Sequence, residues 1–215
     1  MLIPSSCSQK AFEFFEDQFD VIDSNQGMVN ASLAIAMHSF EDLDCREVWQ
    51  KINQLSAKIA SRSGGQNIEA RIAHLHQILF IEEGFVALPK RQASHLLDSF
   101  LSMVLELKVG TPELIGLIYK VVAEMNGIVA EPVLYRDRLH LRVYDGHGWL
   151  LLDMCNRGQL VDPDGRDVIK LNSLSHREWI GRMLFRNMSL LENSGRHQDH
   201  AAMEELHSVL QSIQA

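Results

Sequence analysis

Several features that define common protein classes are scarce in this chain of 215 residues. It has only three cysteines, Cys7, Cys45 and Cys155, which are widely spaced and odd in number. They predict neither a disulfide framework nor a zinc site, and they indicate reduced thiols. No apolar run approaches the roughly 20 residues of a transmembrane helix, and residues 1–7 lack the basic start and long apolar stretch of a signal peptide. We therefore expect a cytoplasmic protein that does not contact a membrane.

Positive charge is also scarce. The chain has 20 lysines and arginines against 28 aspartates and glutamates, which gives a formal net charge of -8 at pH 7. A chain this acidic is not expected to bind nucleic acid or anionic membranes non-specifically. It also lacks a Gly-x-Gly-x-x-Gly or Walker-type loop, so no nucleotide is expected, and no other cofactor is predicted.

The composition is otherwise typical of a globular protein, with 46% hydrophobic and 22% charged residues. Apolar residues recur at helical spacing over most of the chain, and capping residues mark several helix starts. The predicted helices are 8–23 with Ser8 as its cap, 28–39, one that begins after Asp44, one from Asn67 to Gly84, 94–107, 112–126 with Thr111 as its cap, and a final pair that begins at Ser175 and is broken at 193–195.

After Gly127 the period of the apolar residues changes from about 3.6 to about 2, which indicates strands. Strands are predicted at 129–135, 139–144, 149–153 and 159–162. Asp145-Gly-His-Gly148 is typical of a tight hairpin turn, and such short turns favour an antiparallel sheet. We predict an α+β fold with a helical N-terminal region (1–93), a core (94–170) and a C-terminal helical hairpin (171–215), packed as one globular unit.

Six motifs occur in an order and spacing that is found in one protein family. They are Glu41-Asp-Leu-Asp44, Phe80-Ile-Glu-Glu-Gly-Phe85, Asp98-Ser-Phe-Leu-Ser-Met-Val-Leu105, Gly110-Thr-Pro-Glu-Leu-Ile115, Asp153-Met-Cys-Asn-Arg-Gly158 and Arg182-Met-Leu-Phe-Arg-Asn-Met188. On these motifs the chain resembles the SirB-type transglutaminase-like proteins of bacteria over nearly its whole length.

This resemblance implies a papain-like core, in which helices pack against an antiparallel sheet. In the wider transglutaminase-like class, a cysteine at a helix N-terminus acts with a histidine and an aspartate on adjacent strands. His140 and Asp153 match the histidine and aspartate positions, whereas the cysteine position falls at Pro112, as it tends to in SirB-type relatives. Proline offers neither a nucleophile nor an N–H donor. We therefore do not expect transamidation or amide hydrolysis by the ancestral route.

The remaining candidates each have a structural and a chemical interpretation. His140 and Asp153 are either a vestigial structural pair, with the ring bonded to the carboxylate, or groups that still bind a ligand or move a proton. Thr111 is either a helix cap or a nucleophile beside the vacated position. Cys155 is either a small buried residue or a relocated nucleophile that approaches His140.

Other polar residues are assigned no chemistry. His74 and His76 point apart on a helix, and the C-terminal histidines lack a convincing further ligand, so we predict no metal site. Arg142 is expected to be solvent-exposed. The apolar residues Trp179, Met183 and Met188 of the C-terminal hairpin either form a protein-contact surface or are part of the core.

Three functions follow from these alternatives. The first is a non-catalytic binding or regulatory module that holds a peptide or small ligand in the old cleft and so has a protein or peptide partner. Its cleft residues are Thr111, Pro112, His140, Trp149, Asp153 and Asn156. The second is a hydrolase or acyl transferase with Cys155 or Thr111 as nucleophile and His140 as base. The third is a structural subunit whose cleft is filled by its own side chains.

Overall fold

The computed structural model describes residues 4–89 and 95–212. Over these residues the chain forms eight α-helices, which are α1 (Gln9–Glu16), α2 (Asn25–Met37), α3 (Cys45–Ser63), α4 (Ile68–His76), α5 (Leu101–Leu107), α6 (Pro112–Met125), α7 (His176–Asn193) and α8 (His197–Ser212). Their contacts divide the described residues into two compact units, which are 4–45 with 95–106 and 175–212, and 46–89 with 107–174. The three regions predicted from the sequence stay a prediction.

Several helices begin at the residues that the sequence predicted. The Ser8 hydroxyl caps α1 and the Asn67 side chain caps α4. At the start of α7, Ser175 and Glu178 form a reciprocal capping box. Each cap satisfies backbone N–H groups that have no partner inside the helix.

In the first unit, ten of the 13 residues of α2 are buried, so this helix is central to the unit's core. Its start needs glycine, because a Cβ at Gly27 would lie 2.0 Å from the carbonyl oxygen of Val21. In the same unit α7 packs against α8. Trp179 and Met183 on α7 are buried, and they are therefore core residues rather than a protein-contact surface. Met188 on the same helix is half-buried.

Two helices differ from their predicted lengths. The helix predicted at 8–23 ends at Glu16 and is followed by a separate 3-10 turn at Phe19–Val21. The helix predicted at 94–107 begins as a 3-10 turn at Leu96–Ser99, and its predicted first residue lies outside the described residues.

In the second unit, α4 continues without a break into a π-helical turn, Gln77–Glu82. The hydrogen bond from Glu83 N to Ile78 O, at 2.9 Å, spans the five residues that define this geometry. Three consecutive side chains of this turn, Ile78, Leu79 and Phe80, are buried.

The described strands are β1 (Val86–Ala87), β2 (Val109–Gly110), β3 (Ala130–Tyr135), β4 (Arg138–Tyr144), β5 (Trp149–Asp153), β6 (Gln159–Leu160) and β7 (Asn172–Ser173). The first two form a parallel pair, and the other five form an antiparallel sheet in the order β6-β5-β4-β3-β7. The predicted hairpin turn between β4 and β5 is confirmed, since Asp145 Oδ1 accepts hydrogen bonds from the backbone N–H groups of His147 and Gly148, both at 2.8 Å.

Both faces of the five-stranded sheet are covered. One face carries Leu141, Val143 and Leu152, which are fully buried, and α6 contacts β3 and β4 in the same unit. On the other face, Val133, Tyr135, Leu151 and Leu171 form a separate buried cluster together with Val161 and Val168. Alternation along β4 assigns His140 and Arg142 to this second face.

The predicted combination of many helices with one small antiparallel sheet is confirmed. The division into an N-terminal bundle, a core and a C-terminal hairpin stays a prediction. Among residues 4–89 and 95–212, no helix combines the length and the apolar character that crossing a membrane requires.

Candidate functional site

The resemblance places a catalytic cysteine at the start of α6, and here this start is capped by Thr111. The Thr111 side chain accepts a hydrogen bond from Leu114 N at 3.4 Å, and Pro112 occupies the first position of α6. Proline at this position removes an N–H that would have no partner inside the helix. Thr111 is only 2% exposed, so its hydroxyl is both engaged and shielded from solvent.

The carboxylate of Asp153 forms a hydrogen-bonded cluster at the end of β5. Arg138 Nη2 donates to both of its oxygens, at 3.1 and 3.2 Å, and the backbone N–H of Cys155 donates to Oδ1 at 2.9 Å. This last bond caps the 3-10 turn Met154–Asn156 that follows the strand. Asp153 therefore orders both the hairpin arginine and the turn that carries Cys155.

His140 lies across from Asp153 on the neighbouring strand. The register pairs Leu141 with Leu152, and its next position places His140 opposite Asp153. The ring nevertheless bonds elsewhere, because its Nδ1 lies 3.1 Å from the backbone carbonyl oxygen of Arg138. A carbonyl oxygen only accepts hydrogen bonds, so Nδ1 carries the proton and Nε2 has the lone pair.

The surroundings of His140 favour its neutral form. Burial lowers the pKa of His140 below its usual value, and the Arg138 carbonyl and the Asp153 carboxylate offset this only in part. Its ring also packs edge-on against Tyr135, with the centroids 5.6 Å apart. Among the described residues, His140 forms no hydrogen bond with Thr111 or Asp153. The ring-to-carboxylate bond expected of a vestigial pair is thus replaced by bonds that each residue makes to Arg138.

Cys155 lies close to both the hairpin arginine and the start of α6. Burial raises the pKa of the Cys155 thiol, the Arg138 guanidinium lowers it to a smaller extent, and the carboxylates of Asp153 and Glu113 raise it further. Glu113 is the second residue of α6, and the 3-10 turn Met154–Asn156 contacts this helix. The thiol is therefore near the start of α6, but its environment favours the protonated form, which is a poor nucleophile.

The two other predicted ligand-binding residues lie apart from each other. Asn156 belongs to the turn beside α6, where its amide nitrogen donates to Gln159 Oε1 at 2.7 Å. Trp149 begins β5, four residues from Asp153, which corresponds to about 13 Å along a strand. There its ring lies beside Tyr144 and under the guanidinium of Arg142. Trp149 is thus a neighbour of Arg142 on the sheet rather than of the start of α6.

The prediction that Arg142 is solvent-exposed is wrong. Its side chain is 10% exposed, and its three guanidinium nitrogens donate to Glu131 Oε2 at 2.7 Å, Ile169 O at 2.9 Å and Ser173 Oγ at 2.9 Å. The bonds to Ile169 and Ser173 hold the segment 161–174, which covers the second face of the sheet, against β4. Sequence reasoning missed this role because two of the partners lie 27 and 31 residues away in the chain.

Arg138 is a second residue that the sequence analysis missed. It occupies the first position of β4, after a two-residue hairpin loop in which Arg136 and Asp137 have φ values of 51° and 56°. Positive φ at both positions is the geometry of a type I′ turn, which is usually formed by Asn-Gly or Asp-Gly. Without that sequence signal, the tight turn that brings Arg138 opposite Asp153 could not be recognised.

Metal binding finds no support in the described part of the chain. It contains no group of three or more histidine, cysteine, aspartate or glutamate side chains that could hold an ion. His200 Nδ1 lies 3.6 Å from Glu204 Oε2, which is an ion pair along α8 when the histidine is protonated.

Comparison with known protein families gives a match over much of the chain. The profile of the transglutaminase-like superfamily matches residues 46–185. The chain belongs to the transglutaminase-like superfamily. No curated protein and no solved structure gives a significant match to it. The match includes the α6 start, His140 and Asp153, whereas the SirB-type assignment and the equivalence of Pro112 to the family cysteine stay predictions.

Proposed function

We propose that this transglutaminase-like protein is a non-catalytic binding module of the SirB type. Its ligand site is formed by the start of α6, Arg138 and the 154–158 loop that follows β5, and its ligand is a peptide or a small molecule. Pro112 replaces the family cysteine in this proposal, and His140 and Asp153 are retained for structure. The partner is a protein or peptide and the protein acts in the bacterial cytoplasm.

The observation that carries the proposal is the use of Arg138 by both members of the pair. Its carbonyl binds the His140 ring and its guanidinium binds the Asp153 carboxylate. A thiol enzyme instead needs the carboxylate to orient the histidine and the histidine to face a nucleophile. Neither candidate nucleophile replaces the family cysteine in this proposal. The Thr111 hydroxyl is a buried helix cap, and burial raises the pKa of the Cys155 thiol.

A binding experiment tests this proposal directly. A panel of synthetic peptides arrayed on a surface is probed with the parent protein, with Arg138→Ala and with the control Arg136→Ala, which changes an arginine on the same hairpin. We expect peptides that bind the parent to lose roughly tenfold or more in affinity with Arg138→Ala, which is about 1.4 kcal/mol. The control should bind them as the parent does. Equal binding by both variants, or no peptide bound at all, would contradict the proposed site.

The alternative function is a hydrolase or acyl transferase with Cys155 as the relocated nucleophile. One observation favours it, since the Arg138 guanidinium interacts with the thiol and acts to lower its pKa. The alternative requires His140 Nε2 to lie within about 3 Å of the thiol when substrate is bound. It is tested by the pH dependence of Cys155 alkylation, measured site by site by mass spectrometry, in the parent and in His140→Ala. A thiol that reacts well below pH 8.5 in the parent alone would establish the enzyme.

A further inference from the structure

An aromatic cluster lies directly beneath the 154–158 loop. It consists of His76 at the end of α4, Phe80 in the π-helical turn and Tyr119 in the middle of α6. His76 packs edge-on against Phe80 and Tyr119, with centroids 5.7 and 5.5 Å apart, and Phe80 stacks on Tyr119 at 6.1 Å. His76 Nε2 also lies 2.9 Å from the Tyr119 hydroxyl. The cluster therefore joins three elements of the second unit.

The π-helical turn determines how Phe80 enters this cluster. It inserts one extra residue into a helical turn, which changes the direction of every side chain that follows. Phe80 is 3% exposed and Tyr119 is fully buried. Turns of this kind are frequent at functional sites, and here the turn brings an aromatic ring under a loop of the proposed ligand site.

The loop contacts the cluster through Gly158. This residue has φ of +69°, and a Cβ at its position would lie 2.7 Å from Phe80 Cε2 and 3.2 Å from His76 Cε1. Its backbone N–H donates to the carbonyl oxygen of Asp153 at 2.9 Å. Gly158 therefore both closes the loop and lies in van der Waals contact with the buried ring of Phe80 and the half-buried ring of His76. Movement of the loop would break one of these interactions.

We propose that His76, Phe80 and Tyr119 are positioning residues for the 154–158 loop, and that their contact with Gly158 determines how far Cys155 and Asn156 are exposed to a ligand. This inference deepens the proposed function, because the loop is part of the proposed ligand site. The positioning itself is nevertheless a separate property, which is measurable whether or not a ligand is known.

The cluster holds the loop only while His76 is neutral. The groups that face its ring are Phe80 from the π-helical turn, Tyr119 from α6 and Gly158 from the loop, and none of them is charged at neutral pH. Burial alone lowers the pKa of His76, to about 4. A proton on His76 would therefore place an uncompensated charge in the cluster, which favours movement of the ring toward water and release of the loop.

Two glycine variants provide the test. Gly158→Ala introduces the Cβ that meets Phe80 and His76, while Gly165→Ala is the matched control, since Gly165 has φ of +72° with no atom within 4 Å of its Cβ position. Both variants carry the same backbone strain, so their difference isolates the contact. The readout is the alkylation rate of Cys155 by iodoacetamide, resolved by mass spectrometry, with the buried Cys7 as an internal reporter of global unfolding.

We expect Gly158→Ala to raise the Cys155 rate roughly tenfold, as a local open state becomes more populated, and to leave the Cys7 rate unchanged. Gly165→Ala should leave both rates unchanged. Equal Cys155 rates in the two glycine variants would overturn the proposal. If Gly158→Ala does not fold, Tyr119→Phe removes only the hydroxyl bonded to His76, and a Cys155 rate equal to that of the parent would then overturn it.

A pH profile separates positioning from simple packing. Dipyridyl disulfide reacts with thiols in acid as well as at neutral pH, and its rate with Cys155 should rise as the pH falls through about 4. His76→Phe should abolish this rise, and its persistence would exclude His76. The proposed function fails separately, through the peptide panel and the His140→Ala alkylation profile, because neither depends on the difference between the two glycine variants.

Discussion

Arg138 Nη2 donates hydrogen bonds to both carboxylate oxygens of Asp153, at 3.1 and 3.2 Å. In the proposed correspondence to the thiol enzymes of this superfamily, Asp153 takes the place of the carboxylate that orients the histidine, and here that carboxylate binds Arg138. The Arg138 side chain is 52% exposed and that of Asp153 is 15% exposed, so the pair lies at the protein surface, where a ligand can compete for either partner. An arginine in this position can stabilise the loop or bind a ligand anion, and both roles are compatible with a binding site.

The first prediction concerns the effect of Arg138 on the neighbouring thiol. Arg138→Ala should raise the pKa of Cys155 further and slow its alkylation at neutral pH, because the guanidinium acts against the larger effect of burial. Arg136→Ala is the control, since Arg136 pairs with Asp164 instead. Site-resolved alkylation across a pH series measures both. A Cys155 rate that stays equal or increases in Arg138→Ala would show that the guanidinium does not stabilise the thiolate.

The second prediction separates the two interpretations of Thr111. Thr111→Ala should lower the free energy of unfolding by about 1 kcal/mol, because the N-cap of α6 is lost, and Thr111→Ser should restore most of it. Urea unfolding gives the stability difference. Loss of a catalytic activity in Thr111→Ala, with stability unchanged, would instead identify Thr111 as a nucleophile.

The third prediction concerns the buried arginine of the sheet. Arg142→Met should lower the free energy of unfolding by about 2 kcal/mol, because charge-assisted hydrogen bonds to three partners are lost. Arg136→Ala, at a side chain that is 67% exposed, should leave the free energy of unfolding close to that of the parent. Denaturant unfolding of both variants measures the difference. Equal effects would mean that the covering segment 161–174 is held without Arg142.

The fourth prediction is a loss of stability in acid. The pKa of His76 is lowered by burial to about 4, below the value of about 6.5 in an unfolded chain. The folded state therefore binds the proton less readily. The stabilisation is complete above about pH 6.5 and is lost as the pH falls toward 4, by roughly 3 kcal/mol in total.

The double variant His76→Phe with Tyr119→Phe tests this, because it removes both partners and leaves no buried hydroxyl unsatisfied. Its free energy of unfolding should change less between pH 7 and pH 4 than that of the parent, when both are measured by urea titration at each pH. A residual slope is expected from His140, whose pKa is also lowered by burial. An unchanged pH dependence in the double variant would show that His76 does not titrate in the folded protein.

Sequence reasoning was most successful where the deciding interaction is local. Thr111 capping Leu114, the box formed by Ser175 and Glu178, and the turn closed by Asp145 each join residues two or three positions apart. Such interactions can be read from residue type and spacing alone. The same applies to β4, whose apolar residues alternate over the full length of the strand.

Local patterns were less informative where an element is short or continues another. The two-residue strands β1, β2 and β7 carry too few residues to show a period, and they exist because a partner more than 20 residues away supplies the hydrogen bonds. The π-helical turn has the same apolar residues as an α-helix would have. It is recognised from the folded chain by its hydrogen bond from Glu83 N to Ile78 O.

Motifs and residue spacing were enough to predict the transglutaminase-like superfamily, the capped start of α6, and the placement of His140 and Asp153 on adjacent strands. These features depend on motifs, caps and periodicity, which involve residues close together in the chain. The bonding partners of these residues could be identified only from the folded chain. Arg138 bonds to both His140 and Asp153, and the segment 161–174 bonds to Arg142. The physical reason is that a buried or paired polar group takes whichever partner the fold brings within hydrogen-bond distance, and that partner is not encoded in the spacing of neighbouring residues.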